Sequence, residues 1–129
     1  MVSSSAKNIF FDILSSNKLD SSSFDRIKLS KSGDKASFEL IHFTNPNVPL
    51  KLIKPLHLDV IYEEGTKRYI FENKLLKIFS FNEDFGKAAA EFEISFYYLW
   101  EEYVLEDESV LTAGAVQLKH LLLEYAEEV

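Results

Sequence analysis

His42, His57 and His120 are the only imidazoles in the chain, and there is no cysteine, so thiolate catalysis, disulfides and cysteine–zinc sites are excluded. His57 and Asp59 stand two apart, which places them on one face of an extended strand, and His120 and Glu124 stand one turn apart on a helix. Either pair offers two metal ligands, and His57 with Asp59 also offers a base and its orienting acid. A firm metal site needs a third or fourth ligand at a recognisable spacing, and no His-Glu-x-x-His occurs. The run Glu101-Glu102 with Glu106-Asp107-Glu108 has the oxygen donors that suit a hard cation but lacks the Asp-x-Asp-x-Asp-Gly frame. It stands just before a helix start, where negative charge is favourable. The expectation is therefore no metal and no cofactor.

Other chemistries lack their parts. Serines are abundant, but no Gly-x-Ser-x-Gly elbow occurs. The four glycines are scattered at 33, 65, 86 and 114, so no phosphate-cradling loop exists. Nucleic-acid binding would need basic residues interleaved with aromatics. Only Lys67-Arg68-Tyr69 with Lys74 and Lys77 approaches that, and lysines at a strand edge equally guard against aggregation. The reading is of a chain that is not an enzyme and binds no nucleic acid.

The 129 residues suffice for one domain with a substantial core, and 14% aromatic content is too much for a disordered segment. No apolar run approaches the roughly 18 residues that a membrane helix needs. The opening Met1–Lys7 and its short apolar sequel are too polar for a secretory signal. A soluble cytoplasmic protein is expected, with no membrane partner. Net charge is −7, unevenly spread. Residues 1–82 hold twelve Lys/Arg against nine Asp/Glu, a balance of +3; residues 83–129 hold Lys87 and Lys119 against twelve acids, a balance of −10. If that split survives folding, the acidic third favours a basic partner, and it also keeps an aromatic-rich protein soluble.

The elements that must position these residues follow from periodicity. Residues 1–23 read as a short helix, capped at Ser4 or Ser5 with Ile9, Phe10, Ile13 and Leu14 inward, and a Ser-rich lead. Residues 24–104 read as an antiparallel meander. Its strands are an edge strand from Phe24, a second at Phe38–Phe43, one from Leu56 to Tyr62, a hairpin turn at Glu63-Glu64-Gly65, a return at Tyr69–Phe71, and a run from Leu75 to Phe81 after a bulge near Asn73. Gly65 is the residue available there for positive φ.

Large apolar residues at 92, 94, 96, 98 and 100 alternate, so Phe92–Trp100 is assigned to a strand. Ala89, Phe92, Phe96, Leu99 and Tyr103 fit a helix as well, and the aromatic and β-branched content decides for the strand. Residues 109–128 read as an amphipathic helix, capped by Ser109 or Thr112, with Leu111, Ala115, Leu118, Leu122 and Tyr125 inward. The fold class is α+β: a four- to five-stranded antiparallel sheet with a helix at each end.

Phe43-Thr44-Asn45-Pro46-Asn47-Val48-Pro49, at a strand end and followed by Leu58-Asp59-Val60, resembles the Phe-x-x-Pro-Asn-x-Pro segment that closes the first strand of the export chaperone SecB. The order of strands, acidic connection and late helix is similar too. The likeness spans residues 24–128 in order and seven residues in motif. The family's Gly-Gly-x-Phe is absent, this chain having Tyr97-Tyr98-Leu99-Trp100, as are its Pro-Tyr-x-Arg motif and second helix. The resemblance implies an oligomeric scaffold that binds extended apolar stretches of unfolded chains without catalysis.

The residues together support a non-catalytic, chaperone- or adaptor-like protein-binding module. Phe92, Phe96, Tyr98 and Trp100 would anchor a partner on an aromatic sheet surface. Glu101, Glu102, Glu106 and Glu108 would steer a basic partner or one with exposed apolar segments. Two helices are too few to shield both sheet faces, and self-association is the physical way out. The alternatives are a small acidic inhibitor, of the immunity or antitoxin type or phage-encoded, that masks a basic active site, and an enzyme built on His57 and Asp59.

Overall fold

The computed structural model describes residues 24–29 and 35–129, with side chains from Lys35 onward. The short helix expected within residues 1–23 lies outside the described residues. The strands are β1 (Phe24–Leu29), β2 (Lys35–Leu40), β3 (Leu50–Leu52), β4 (Leu56–Glu63), β5 (Arg68–Asn73) and β6 (Ile78–Asn82). Helix α1 (Phe85–Leu99) runs on into a π-helical turn at Trp100–Val104. A 3-10 turn at Glu108–Val110, helix α2 (Ala113–Tyr125) and strand β7 (Ala126–Glu128) complete the chain.

Alternating hydrophobicity builds the main sheet, which is antiparallel with strand order β1-β2-β4-β5-β6. Ala36, Phe38 and Leu40 on β2 pair with Val60, Leu58 and Leu56 on β4, and all six are at most 2% exposed. Phe71 on β5 stands opposite Val60 and continues the buried row. Helix α1 covers this face with Phe85, Ala88, Ala89, Phe92 and Phe96. Burying one such Phe side chain stabilises the fold by about 1.5–3 kcal/mol, so this layer holds the sheet in place. Edge contacts from the Phe85 ring to Phe38, Tyr69 and Phe71 fix the start of the helix over the middle strands.

The segment assigned to a late strand is therefore a helix. Asp84 caps it, its carboxylate accepting from the Lys87 amide at 2.9 Å. Phe85, Ala88, Phe92, Phe96 and Trp100 recur every three or four residues and all are buried. Tertiary burial of that stripe outweighs the strand preference of its aromatics.

Three further expectations are corrected. Leu75–Phe81 is not one strand: residues 74–77 form a four-residue turn between β5 and β6. The buried Asn73 builds it, donating its amide to the His57 carbonyl (2.8 Å) and accepting from the Leu76 amide (2.8 Å). In the β4–β5 and β5–β6 turns the left-handed position is the last, held by Lys67 (φ 54°) and Lys77 (φ 57°) and not by Gly65. The C-terminal helix ends at Tyr125 and not at 128, because Ala126 is extended and β7 pairs with β3. Thr112 is its cap, accepting from Ala115 N at 3.2 Å. Helix α2 buries Leu122 and packs chiefly against the π-helical turn.

Candidate docking surface

The residues expected to anchor a partner part company. Phe92 and Phe96 are 0% exposed and Trp100 is 2% exposed, all within the core under α1; only Tyr98, at 62%, faces solvent. On a helix, residues 92 and 96 share a face and residue 98 points elsewhere, whereas the strand reading had aligned them all. Trp100 Nε1 is the one buried side-chain donor without a hydrogen-bond partner among the described residues.

The acids separate as well. Glu101 and Glu102 are exposed on the π-helical turn. Glu106 accepts Lys119 Nζ on its main-chain carbonyl (2.9 Å), and Glu108 faces His120 Nε2 at 3.0 Å. Those two tie the connection to α2. Asp107 accepts from Ser109 N at 2.9 Å, and that bond holds its carboxyl below the ordinary 3.8. His120 and Glu124 do not converge, because Glu124 pairs with Lys54 across a 3.7 Å gap.

Glu93, on α1, is 2% exposed. One carboxylate oxygen accepts from the amides of Thr44 and Asn45, each at 2.8 Å, and the other from Thr44 Oγ1 at 2.8 Å. Burial pushes the Glu93 carboxyl above its ordinary 4.5, against the pull of the Asn45 and Thr44 hydrogen bonds and of His42. Asn45 also reaches the Ala90 carbonyl (3.4 Å) and accepts from Asn47 N (2.9 Å), and Phe43 packs on Phe96 with ring centroids 5.1 Å apart. The Pro- and Asn-rich stretch from Phe43 to Pro49 is thus a strap bound to one flank of α1. A strap with two orphan amides requires an acceptor, which is the signal that sequence reasoning passed over.

The other sheet face divides into two halves. Over β2 and β4 it is polar. His57 Nδ1 lies 3.2 Å from Glu39 and Nε2 lies 3.0 Å from Asp59, while Ser37 Oγ donates to Asp59 at 3.0 Å and Lys35 Nζ lies 3.7 Å away. Burial raises the Asp59 carboxyl, but the bonds from Ser37 and His57 and the charges of Lys35 and His57 outweigh it and hold its pKa below 3.8. The expected pair is brought together, and a second carboxylate occupies the other imidazole nitrogen. Ser37 is hydrogen-bonded to the acid and not to the imidazole, so this is not a nucleophile–base relay.

Over β5 and β6 the face carries Ile70, Phe79 and Phe81 beside Arg68 and Glu72. The hairpin register sets Ser80 opposite Phe71, so Ser80 points inward and donates to the Ala88 carbonyl at 2.7 Å. Phe79 and Phe81 consequently point outward, 62% and 48% exposed, their rings stacked at 6.4 Å. The Arg68 guanidinium lies over Phe81 at 4.4 Å and donates to Glu63. Strand β6 thus turns Ile78 and Ser80 toward the core and both of its phenylalanines toward water. At the sheet edge a groove of about 580 Å³ joins Phe79 and Phe81 to Ile94 and Tyr98 of α1. None of the sequence-derived anchors except Tyr98 belongs to it.

No family model, no curated protein and no solved structure matches the chain. Among the described residues no helix is long and apolar enough to cross a membrane.

Proposed function

We propose that this protein is a non-catalytic protein-binding module, chaperone- or adaptor-like, that takes up extended apolar segments of other chains along β6 and the adjoining side of α1. The observation that carries the reading is the outward pair Phe79 and Phe81 beside Tyr98, three large rings left in water by a fold that buries its other described phenylalanines wholly or in part. An edge strand flanked by apolar pockets suits strand addition, in which main-chain hydrogen bonds supply affinity and alternate side chains supply selectivity. The sheet-then-helix order and the Phe43–Pro49 strap support a SecB-like role on the same grounds, and the Cys-free composition is compatible with a reducing cytoplasm.

The test is titration with a permanently unfolded, carboxymethylated protein as client. Wild type should bind, and the double variant Phe79→Ser/Tyr98→Ser should bind at least about tenfold more weakly, as expected for aromatic anchors. Its melting temperature should stay within a few degrees. A client that binds both proteins equally, or neither, overturns the proposal.

A second reading, an acidic inhibitor that fills a basic active site, is favoured by one observation: Glu101 and Glu102 are exposed on the turn that directly follows Tyr98. It requires binding to a cationic partner that falls steeply between low and moderate salt, whereas uptake of apolar segments should be nearly salt-insensitive.

A further inference from the structure

We infer that β6 pairs with β6 of a second copy of this chain, antiparallel about a two-fold axis through Ser80, joining two five-stranded sheets into one. The inference rests on the docking reading of the β6–α1 surface and names the occupant that this surface holds when no client is bound.

The edge itself is the first ground. An unpaired edge strand is ordinarily guarded by charge, proline or a bulge. Ile78-Phe79-Ser80-Phe81-Asn82 has no charged residue and no proline, and it pairs with β5 without a register shift. At the opposite edge of the sheet, Phe24–Leu29 includes Asp25, Arg26 and Lys28 and has a register shift against β2. Among the described residues, charge lies within one edge strand and only just beyond the ends of the other, at Lys77 and Glu83.

Self-complementarity is the second. In an isologous contact residue i meets j and j meets i. Centring the antiparallel pair on Ser80 sets Phe79 against the partner's Phe81 and Phe81 against the partner's Phe79. Four rings then form one cluster on the outer face, continuous with half-buried Ile61 and Ile70, which share a row with Phe81. The same register brings Lys77 at one end of the strand against the partner's Glu83 at the other, twice over. Both side chains are exposed, and among the described residues neither has an ion-pair partner within its own chain. A shift by one residue to centre on Phe79 or Phe81 loses both matches, setting Lys77 against an aromatic or Phe79 against Glu83. Opposite charges and aromatic pairs directly across strands favour the register centred on Ser80.

The test is particle mass by sedimentation, without client, over a wide concentration range. Wild type should sediment as a dimer, and Phe79→Asp as a monomer whose melting temperature equals that of wild type diluted to its monomeric range. Lys77→Glu alone and Glu83→Lys alone should each dimerise about tenfold more weakly, since each makes two like-charge pairs across the axis. An equimolar mixture of the two should recover wild-type association, because the mixed dimer restores both opposite-charge pairs. Amide exchange in Ile78–Asn82 should slow as wild-type concentration rises. A wild type that stays monomeric, a Phe79→Asp dimer, or single variants that are not rescued by mixing each overturns the inference. Client binding by a monomeric wild type would do so while leaving the docking proposal intact.

Discussion

The two faces of the main sheet are rich in the same aromatic residue type and treat it in opposite ways. Under α1, Phe38 and Phe71 meet Phe85 and Phe92 and lose almost all contact with water. On the reverse, Phe79 and Phe81 stack on each other in the open. The residues do not decide between these outcomes; the register does. Once Asn73 fixes the β5–β6 turn and Ser80 is set opposite Phe71, every odd-numbered residue of β6 must face outward. Aromatic content alone therefore says that burial is needed somewhere, without saying which surface needs it from outside.

The largest way to break this contrast is Phe92→Ala, which should cost about 3–5 kcal/mol of unfolding free energy in denaturant titration, since a fully buried ring leaves a cavity. Next, Glu93→Ala should cost about 1–3 kcal/mol by orphaning the Thr44 and Asn45 amides, with faster amide exchange confined to the strap.

Acid titration sharpens the comparison through two carboxyls of opposite behaviour. Glu93 has a folded pKa above 4.5, so its contribution is full below that value and is lost as pH rises through the folded pKa. Asp59 has a folded pKa below 3.8, so its contribution is present above 3.8 and is lost as pH falls through the folded pKa. Glu93→Gln should abolish the decline in stability just above pH 4.5, and Asp59→Asn should flatten the loss in strong acid, each measured against wild type by denaturant melts. The smallest effect belongs to the open face: Phe79→Ser or Tyr98→Ser should change stability by no more than about 0.5 kcal/mol. A loss of several kcal/mol at low protein concentration would mean that these rings are core after all.

Much of this architecture was legible in the chain. Leu56, Leu58 and Val60 announce a one-sided strand, and Ser109 and Thr112 narrow the start of α2 to two candidate caps, because alternation and capping are local signals. Helix α1 was misread because Phe92, Ile94, Phe96, Tyr98 and Trp100 satisfy period two as well as period 3.6, and their intrinsic preference is for strands. Packing of Phe85, Ala88, Phe92 and Phe96 against a preformed sheet, a non-local effect, decided the matter. Glu93 was hidden for a related reason: an acid looks solvated until the strap that needs it is folded beside it. Phe79 and Phe81 were visible as a strand, but their outward direction depends on a turn that only Asn73 defines. The candidate site was thus the least legible part, with Tyr98 alone carried over.

The bond between Glu93 and the strap joins residues 48 and 49 positions apart in sequence. A latch that closes only once α1 has docked makes a kinetic prediction: Glu93→Ala should unfold faster while refolding at nearly the wild-type rate, read by denaturant-jump kinetics. Interactions of that kind leave the refolding rate nearly untouched and instead slow escape from the native state. On that outcome the Phe43–Pro49 segment would serve as a kinetic brake, lengthening the lifetime of a folded chain that leaves three aromatic rings open to its surroundings.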